Sequence, residues 1–303
     1  MQWMVLGSAQ SWYVADLRRA AASAHTIHTA GFMDLSCEVG REPRGESGPE
    51  TGLGHLRLSA AGRDLSQFDG VLVRTMPPAT LEQVVFRMDL LGQIGRRGTL
   101  VMNPARAIET AVDKLLTSCR VQEAGLPTPR TVCCQTRDEA LAAYDRLGGD
   151  VVVKPLFGGE GRGLMRVSDP ALMTRAAGTL AQLGSVFYLQ RFIQHEGFDL
   201  RAFVLGDRVL SMRRRHPHDW RTNISRGARG EAVELEPALQ DMARHAAQAV
   251  GAPMAGVDLL PGRDGKLYVL EVNAVPGWKA LAEVLRVDVA ALVLEFLEAQ
   301  RRA

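Results

Sequence analysis

The chain is 303 residues long, too long for the smallest modules and suited to one large or two to three compact units. Its 46% apolar content supports a packed core, while 36 basic against 34 acidic residues leave a net charge of +2 that says almost nothing about partners. No apolar stretch approaches the roughly 20 residues of a membrane span, and Cys37, Cys119, Cys133 and Cys134 form neither a C-x-x-C pair nor a metal-like spacing, so a reduced, cytoplasmic setting is expected.

The first ten residues hold a short apolar run with no basic segment before it and no small-residue cleavage site after it. Residues 3–6 therefore read as a first β-strand and not as a signal peptide. A helix over 11–24 follows, then a Gly/Pro/Glu-rich loop over 40–54, a buried strand over 70–74, a helix over 81–94 and a strand over 99–102. This alternation predicts a small parallel α/β domain over 1–104. Beyond Asn103 and Pro104, the spacing of Ile108, Val112, Leu115, Leu116 and Cys119 predicts one helix over 105–124, ended by Gly125 and Pro127.

A second unit begins near Thr131. Thr136 and Glu139 read as a capping box opening a helix that stops at Gly148 and Gly149. An apolar strand over 151–154 follows, and Asp169 with Pro170 starts a helix running to about 184. Strands are expected at 186–190, 200–205 and 209–213, a helix over 237–250, a hairpin turning near Arg263, and a final helix over 289–301. No internal repeat or low-complexity tract interrupts this order.

That hairpin carries Asp258, Glu271 and Asn273 where core strands usually carry Val or Leu. An unpaired buried carboxylate is costly enough that it neutralises or finds a cation. Glu271 and Asn273, at i and i+2, share one face of their strand, and the turn brings Asp258 beside them. Three hard oxygen donors with no accompanying Cys or His suit Mg²⁺ or Mn²⁺.

Residues 151–163 place Lys154 at the end of an apolar strand and follow it with Gly158, Gly159, Gly161 and Gly163. Glycines let backbone N–H groups close on an anion, and a lysine beside them is a point charge for phosphate. Taken alone, such a loop is equally an ordinary hairpin turn, and it lacks the order of a P-loop or a dinucleotide fingerprint. Lysine itself is informative here, because Lys114, Lys154, Lys266 and Lys279 are the only lysines among the 36 basic residues. Where a chain that otherwise writes Arg writes Lys, a compact point charge is one explanation and chance retention on a surface is the other.

Taken in order, Asp113 and Lys114, Lys154 and Pro155 with the glycine loop, Gln190 to Ile193, Asp199 with Arg201, Trp220 to Asn223, and Asp258 with Glu271 and Asn273 resemble the ATP-grasp ligases. The closest resemblance is to the RimK-type branch, which joins glutamate to an acceptor carboxylate, and it spans about Asn103 to Pro276. It implies an ATP-grasp fold of α/β class in which nucleotide lies between two α+β lobes, here 105–184 and 185–303, behind the parallel α/β domain of 1–104. It further implies that Lys114 and Lys154 hold the α- and β-phosphates of ATP and that the loop of Gly158, Gly159, Gly161 and Gly163 folds over the phosphates. Gln190, Arg191, Phe192 and Ile193 would line the adenine edge, with Asp199 near the ribose and Arg221 and Asn223 near the nucleotide. Asp258, Glu271 and Asn273 would carry Mg²⁺. The sequence departs from some relatives in having Arg191 where a carboxylate often sits.

Arg213, Arg214, Arg215, Arg221, Arg226 and Arg229 fall within seventeen residues, opposed only by Asp219. An anionic small-molecule acceptor plus the γ-phosphate accounts for them more economically than a solvated face or nucleic acid, for which Trp220 alone supplies no aromatic platform. Arg213 and Arg226 match arginines of the RimK-type pattern and are the candidate catalytic contacts to phosphate or acyl phosphate. His216 and His218 lack a third ligand for a transition metal and read as a polar loop. Arg74, at the carboxyl end of a strand, is either an acceptor contact or structural; Trp12 and Tyr13 read as core or rim.

The expected activity is ATP-dependent ligation of an amino acid, L-glutamate above others, through its amine to a carboxylate-bearing acceptor. A carboxylate has only oxide as leaving group, so transfer of the γ-phosphoryl must first make an acyl phosphate, with Mg²⁺ and cationic side chains neutralising the charge. Residues 73–89 look like relatives associated with one-carbon metabolism, which suggests a pterin or furan cofactor with a glutamyl tail as acceptor. The rivals are a ligase acting on a protein tail or amino-acid carrier, and a noncatalytic nucleotide-binding protein of this fold. Partners beyond ATP, amino acid and acceptor are not expected to include a membrane or nucleic acid, and a homo-oligomer is left open.

Overall fold

The computed structural model of the chain describes residues 1–40, 55–158 and 161–302, so that all but the first residue of the loop expected over 40–54 lies outside the description. The chain forms two compact units, one of Met1–Arg106 with Asp288–Ala303 and one of Ala107–Val287.

In the first unit, β1 (Gln2–Leu6), α1 (Trp12–Ala21) and β2 (Thr26–Ala30) form a parallel crossover. Next, β3 (Leu35–Gly40), β4 (His55–Ala60) and β5 (Arg63–Asp64) make a separate antiparallel sheet. The chain then returns through β6 (Gly70–Val73), α2 (Leu81–Arg96) and β7 (Leu100–Met102) to a parallel sheet ordered β2-β1-β6-β7. Gly70 is required there because a Cβ would come within 2.6 Å of the buried Trp3 ring. Strands β2 and β3 escape the hydrophobic pattern because most of their residues are polar or exposed.

Helix α3 (Ala105–Val112) leads to α4 (Lys114–Glu123), and the two are not the single helix that apolar spacing predicts. Asp113 breaks the run: its side chain accepts from the N–H groups of Leu115 and Leu116 at 2.9 and 3.0 Å, an N-cap that outweighs periodicity. Lys114 thereby becomes the first residue of α4.

The second unit contains two sheets. β8 (Thr131–Cys134), α5 (Arg137–Arg146), β9 (Val151–Lys154), β10 (Met165–Val167), α6 (Pro170–Gln182) and β11 (Phe187–Arg191) give an antiparallel sheet ordered β10-β9-β11-β8. Its core joins Tyr144 of α5 and Met173 of α6 to Val153 and Phe187. Thr136 caps α5 by accepting from Glu139 N–H, whereas the Glu139 carboxylate pairs with Arg146. The second sheet, ordered β14-β13-β12-β15-β16, comprises β12 (Phe198–Leu205), β13 (Arg208–Arg215), β14 (Arg229–Ala232), β15 (Met254–Pro261) and β16 (Leu267–Asn273), with α7 (Pro237–Val250) packed on it. α8 (Lys279–Leu285) follows and packs on β13 and β14. α9 (Val289–Arg302) packs on α1 in the first unit. β11 pairs with β8 and β9 across the expected division at 184/185, and the last helix joins the N-terminal unit and not the expected lobe of 185–303. Among the described residues no helix is long and apolar enough to cross a membrane.

Candidate active site

β15 and β16 pair so that Asp258 stands opposite Glu271 and Gly256 opposite Asn273. Alternation along a strand puts these residues on one face. β12 adds Arg201 opposite Asp258, and β13 adds Arg214 opposite Asp199. Arg201 donates to Asp258 Oδ1 at 2.7 Å; Arg214 lies 2.8 Å from Asp258 Oδ2 and grips Asp199 through Nε at 2.8 Å and Nη2 at 2.5 Å. All four side chains are buried. A Cβ on Gly256 would meet Arg201 Nη2 at 2.0 Å, so the guanidinium lies against that backbone.

The three carboxyls respond differently to this crowding. Burial pushes Asp258 up, but the charges of Arg214 and Arg201 outweigh it and hold the carboxyl below its usual value. Asp199 has Arg214 as its cation, and burial wins, raising it. Glu271 is raised by burial and then by the neighbouring Asp258 charge, with Lys114, Lys154 and Arg201 only partly offsetting.

Lys154 ends β9 and points its Nζ at Gln190 Oε1, 2.7 Å away. Burial pushes its amine down to about 8, while Glu271 and Asp258 pull it back up and Lys114 opposes them. Lys114 donates to Gly158 O at 2.6 Å, and burial lowers its amine too. Gly158, Gly161 and Gly163 have φ of +118°, +68° and +71°, values L-residues with a Cβ rarely adopt; Gly159 lies outside the described residues. Arg226 donates to Gly161 O at 3.2 Å, and a Cβ on Gly161 would come within 2.4 Å of Asn223 Oδ1.

A cleft is lined by Lys154, Asp199, Asp258 and Glu271, by apolar Val152, Ile193 and Leu260, and by Gln190, Arg191, Phe192, Arg221 and Asn223. Phe192 has the Arg166 guanidinium 3.6 Å above its ring and Trp220 edge-on at 5.7 Å. A flat heteroaromatic ring suits that wall, and an anion suits the end bearing Lys154. Lys114, Gly158, Gly161, Gly163, Asn273, Arg213 and Arg226 do not line this cleft, although Lys114 meets Gly158 and Arg226 meets Gly161 as described above.

Arg213 lies on the other face of β13 from Arg214. Its guanidinium stacks 4.9 Å over Phe198 and stands 3.8 Å from Glu231. The arginine that meets Asp199 and Asp258 is therefore Arg214, which sequence reasoning left in the general cluster. Only the register of β13 against β12 decides which of two adjacent arginines faces in. His216 accepts from the N–H groups of His218 and Asp219 at Nδ1, a loop-capping role. In the first unit, Arg74 stacks 4.6 Å from the Tyr13 ring centroid.

Among the described residues no group of three or more His, Cys, Asp or Glu side chains is placed to hold a metal. The donor set in question is two carboxylates and the carboxamide of Asn273, whose Oδ1 also accepts from Val275 N–H at 2.8 Å. These hard oxygens fit a divalent cation.

Residues 111–297 match the RimK-like ATP-grasp domain family. The tetrahydromethanopterin:alpha-L-glutamate ligase of Methanosarcina acetivorans is 31% identical over 263 residues, covering 77% of this chain and 81% of that protein. A probable alpha-L-glutamate ligase of Xanthomonas campestris pv. campestris is 34% identical over 245 residues, 80% of this chain and 82% of its own. In fold, the chain is similar to the ATP-grasp ligase PsnB, solved with minimal precursor, Mg and ADP, at a TM-score of 0.73 and 22% identity over 99% of this chain and 98% of that one.

Proposed function

This chain belongs to the RimK-like ATP-grasp family and is an enzyme, and on that premise we propose that it joins L-glutamate through its amine to a carboxylate acceptor, releasing ADP and phosphate. The observation that carries this reading is the meeting of Lys154 with Asp258 and Glu271 in one cleft whose other wall is apolar and aromatic. Such a cleft suits a nucleotide whose base stacks while its phosphates meet a buried amine.

In this reading Phe192, Ile193 and Leu260 receive the base, and Lys154, Lys114 and the glycine loop receive the phosphates. Asp258, Glu271 and Asn273 hold a divalent cation, Mg²⁺ or Mn²⁺. When bound, that cation supplies charge neutralisation for the transferring phosphoryl group. Arg226, already on Gly161 O, lies beside the loop that would cover that group, and Arg214 with Arg201 keeps Asp258 ionised and fixed. The acceptor carboxylate takes the γ-phosphoryl to become an acyl phosphate. The glutamate amine then displaces phosphate, losing a proton to solvent. The loop of Gly158, Gly161 and Gly163 limits competing hydrolysis by excluding water.

The acceptor we favour is a one-carbon cofactor, pterin or furan, with a glutamyl tail, a reading supported by the name of the Methanosarcina relative. The test is ADP release from purified protein with ATP, Mg²⁺, L-glutamate and a glutamyl-tailed pterin, each omitted in turn. Turnover that requires all four, with a product heavier by one glutamyl residue, is expected. ATP turnover indifferent to glutamate and acceptor would overturn the proposal, and glutamylation of a co-purified polypeptide instead would move the acceptor to a protein tail.

A further inference from the structure

Lys154 and Lys114 are joined by a continuous hydrogen-bonded chain. Lys154 Nζ donates to Gln190 Oε1 at 2.7 Å; Gln190 Nε2 donates to Tyr188 Oη at 3.2 Å and to Thr131 Oγ1 at 3.0 Å. Tyr188 Oη lies 2.8 Å from Ser118 Oγ, and Ser118 Oγ donates to the carbonyl of Lys114 at 2.8 Å.

Counting protons gives the directions in which these bonds are all satisfied together. Ser118 has one, given to Lys114 O, so Tyr188 must be the donor to Ser118. Thr131 has one, given to Pro129 O at 2.9 Å. Both hydroxyl oxygens that face Gln190 are therefore acceptors toward it, and its amide can settle only with NH₂ toward them and the oxygen toward Lys154. An ammonium has donors alone, so this orientation is also the one that keeps Lys154 partnered. Both amide hydrogens of Gln190 are thereby used, which leaves its side chain no donor for a nucleobase.

We infer that Tyr188 is a positioning residue for the phosphate-facing amine: its hydroxyl fixes the Gln190 amide, and the amide holds Lys154 in place as a cation. Tyr188 is 1% exposed and its ring centroid lies 5.8 Å from the Lys154 amine, so Tyr188→Phe removes the hydroxyl and keeps the ring. Burial pushes the phenol up to about 12, so it stays a donor through the working range. The charged groups acting on Lys154 are Glu271 from β16, Lys114 from α4 and Asp258 from β15.

The inference rests on Lys154 contacting the phosphates, and the test separates the two. A double-mutant cycle reads the Kd for ATP: Tyr188→Phe should weaken binding about fivefold, the worth of one hydrogen bond between neutral groups, and by less than about twofold in a Lys154→Met background. An equal factor in both backgrounds overturns the inference. A second arm uses protein free of metal and nucleotide with carbon-13 lysine methylenes, of which only Lys114, Lys154, Lys266 and Lys279 give signals. At a fixed pH the methylene signal of Lys154, assigned by its loss in Lys154→Met, should move in Tyr188→Phe while those of Lys266 and Lys279 stay in place. No shift overturns the inference. A shift accompanied by Lys154→Met binding ATP normally upholds the relay and removes the phosphate assignment.

Discussion

Gly256→Ala isolates what Arg201 contributes to the candidate metal face. Gly256 is not among the positive-φ glycines, so its backbone accepts alanine. The new methyl would lie 2.0 Å from Arg201 Nη2 and 2.2 Å from its Cζ, and the guanidinium must leave. Asp258 then keeps Arg214 and loses the 2.7 Å bond from Arg201. Breaking a buried pair by displacing one partner costs about 3–5 kcal/mol. Because Arg214 remains, the lower end, about 3 kcal/mol, is expected, a fall in melting temperature of roughly 10 °C. The pH dependence has a definite sign. Asp258 is held below its usual value, so its stabilisation is present above the unfolded pKa of about 3.9 and fades as pH falls through the native pKa. Displacing Arg201 raises that native pKa. The deficit of the variant should therefore be largest near neutrality and shrink on acidification below about pH 4. Calorimetry from acid to neutral pH checks this, with ATP turnover measured beside it. A variant that melts with the wild type at neutral pH and turns over normally would refute the coupling of Arg201 to Asp258.

Lys154→Met should weaken ATP binding measurably in a fluorescence titration and abolish ligation while circular dichroism stays unchanged, since the amine meets a side-chain carboxamide and not the core. Glu271→Gln should lower cation-dependent turnover by orders of magnitude. Because burial and Asp258 raise the Glu271 carboxyl above 4.5, its ionisation opposes folding as pH rises, so the same variant should melt no lower than wild type at neutral pH without metal; a lower melting point with intact turnover would make the carboxylate structural. Gly161→Ala forces a Cβ at φ +68° against Asn223 Oδ1, a backbone cost of about 1–2 kcal/mol. The ratio of ATP hydrolysed to amide formed should rise, and an unchanged ratio would remove the water-excluding role of the loop.

What could be read from sequence followed from residues that break a local pattern. Two carboxylates in apolar strands announced the β15–β16 hairpin, and Asp258 does stand opposite Glu271. A lysine ending an apolar run marked β9. Register was out of reach, since it depends on partners distant in the chain: Arg213 and Arg214 are indistinguishable until β13 is paired with β12. Asp113 shows a second limit, because helical spacing runs straight through it while its side chain caps a new helix. Gln190 shows a third. Its place in the motif suggests the adenine edge, but two hydroxyls from β8 and β11 turn its amide toward Lys154.

The most direct test of the central claim follows one oxygen. The glutamyl-tailed acceptor that supports turnover is prepared with oxygen-18 in its carboxylate and incubated with ATP, Mg²⁺ and L-glutamate. Carboxylate attack on the γ-phosphorus, then displacement by the amine, should leave one heavy oxygen in inorganic phosphate and none in ADP. Heavy oxygen in AMP, with unlabelled pyrophosphate, would contradict the account.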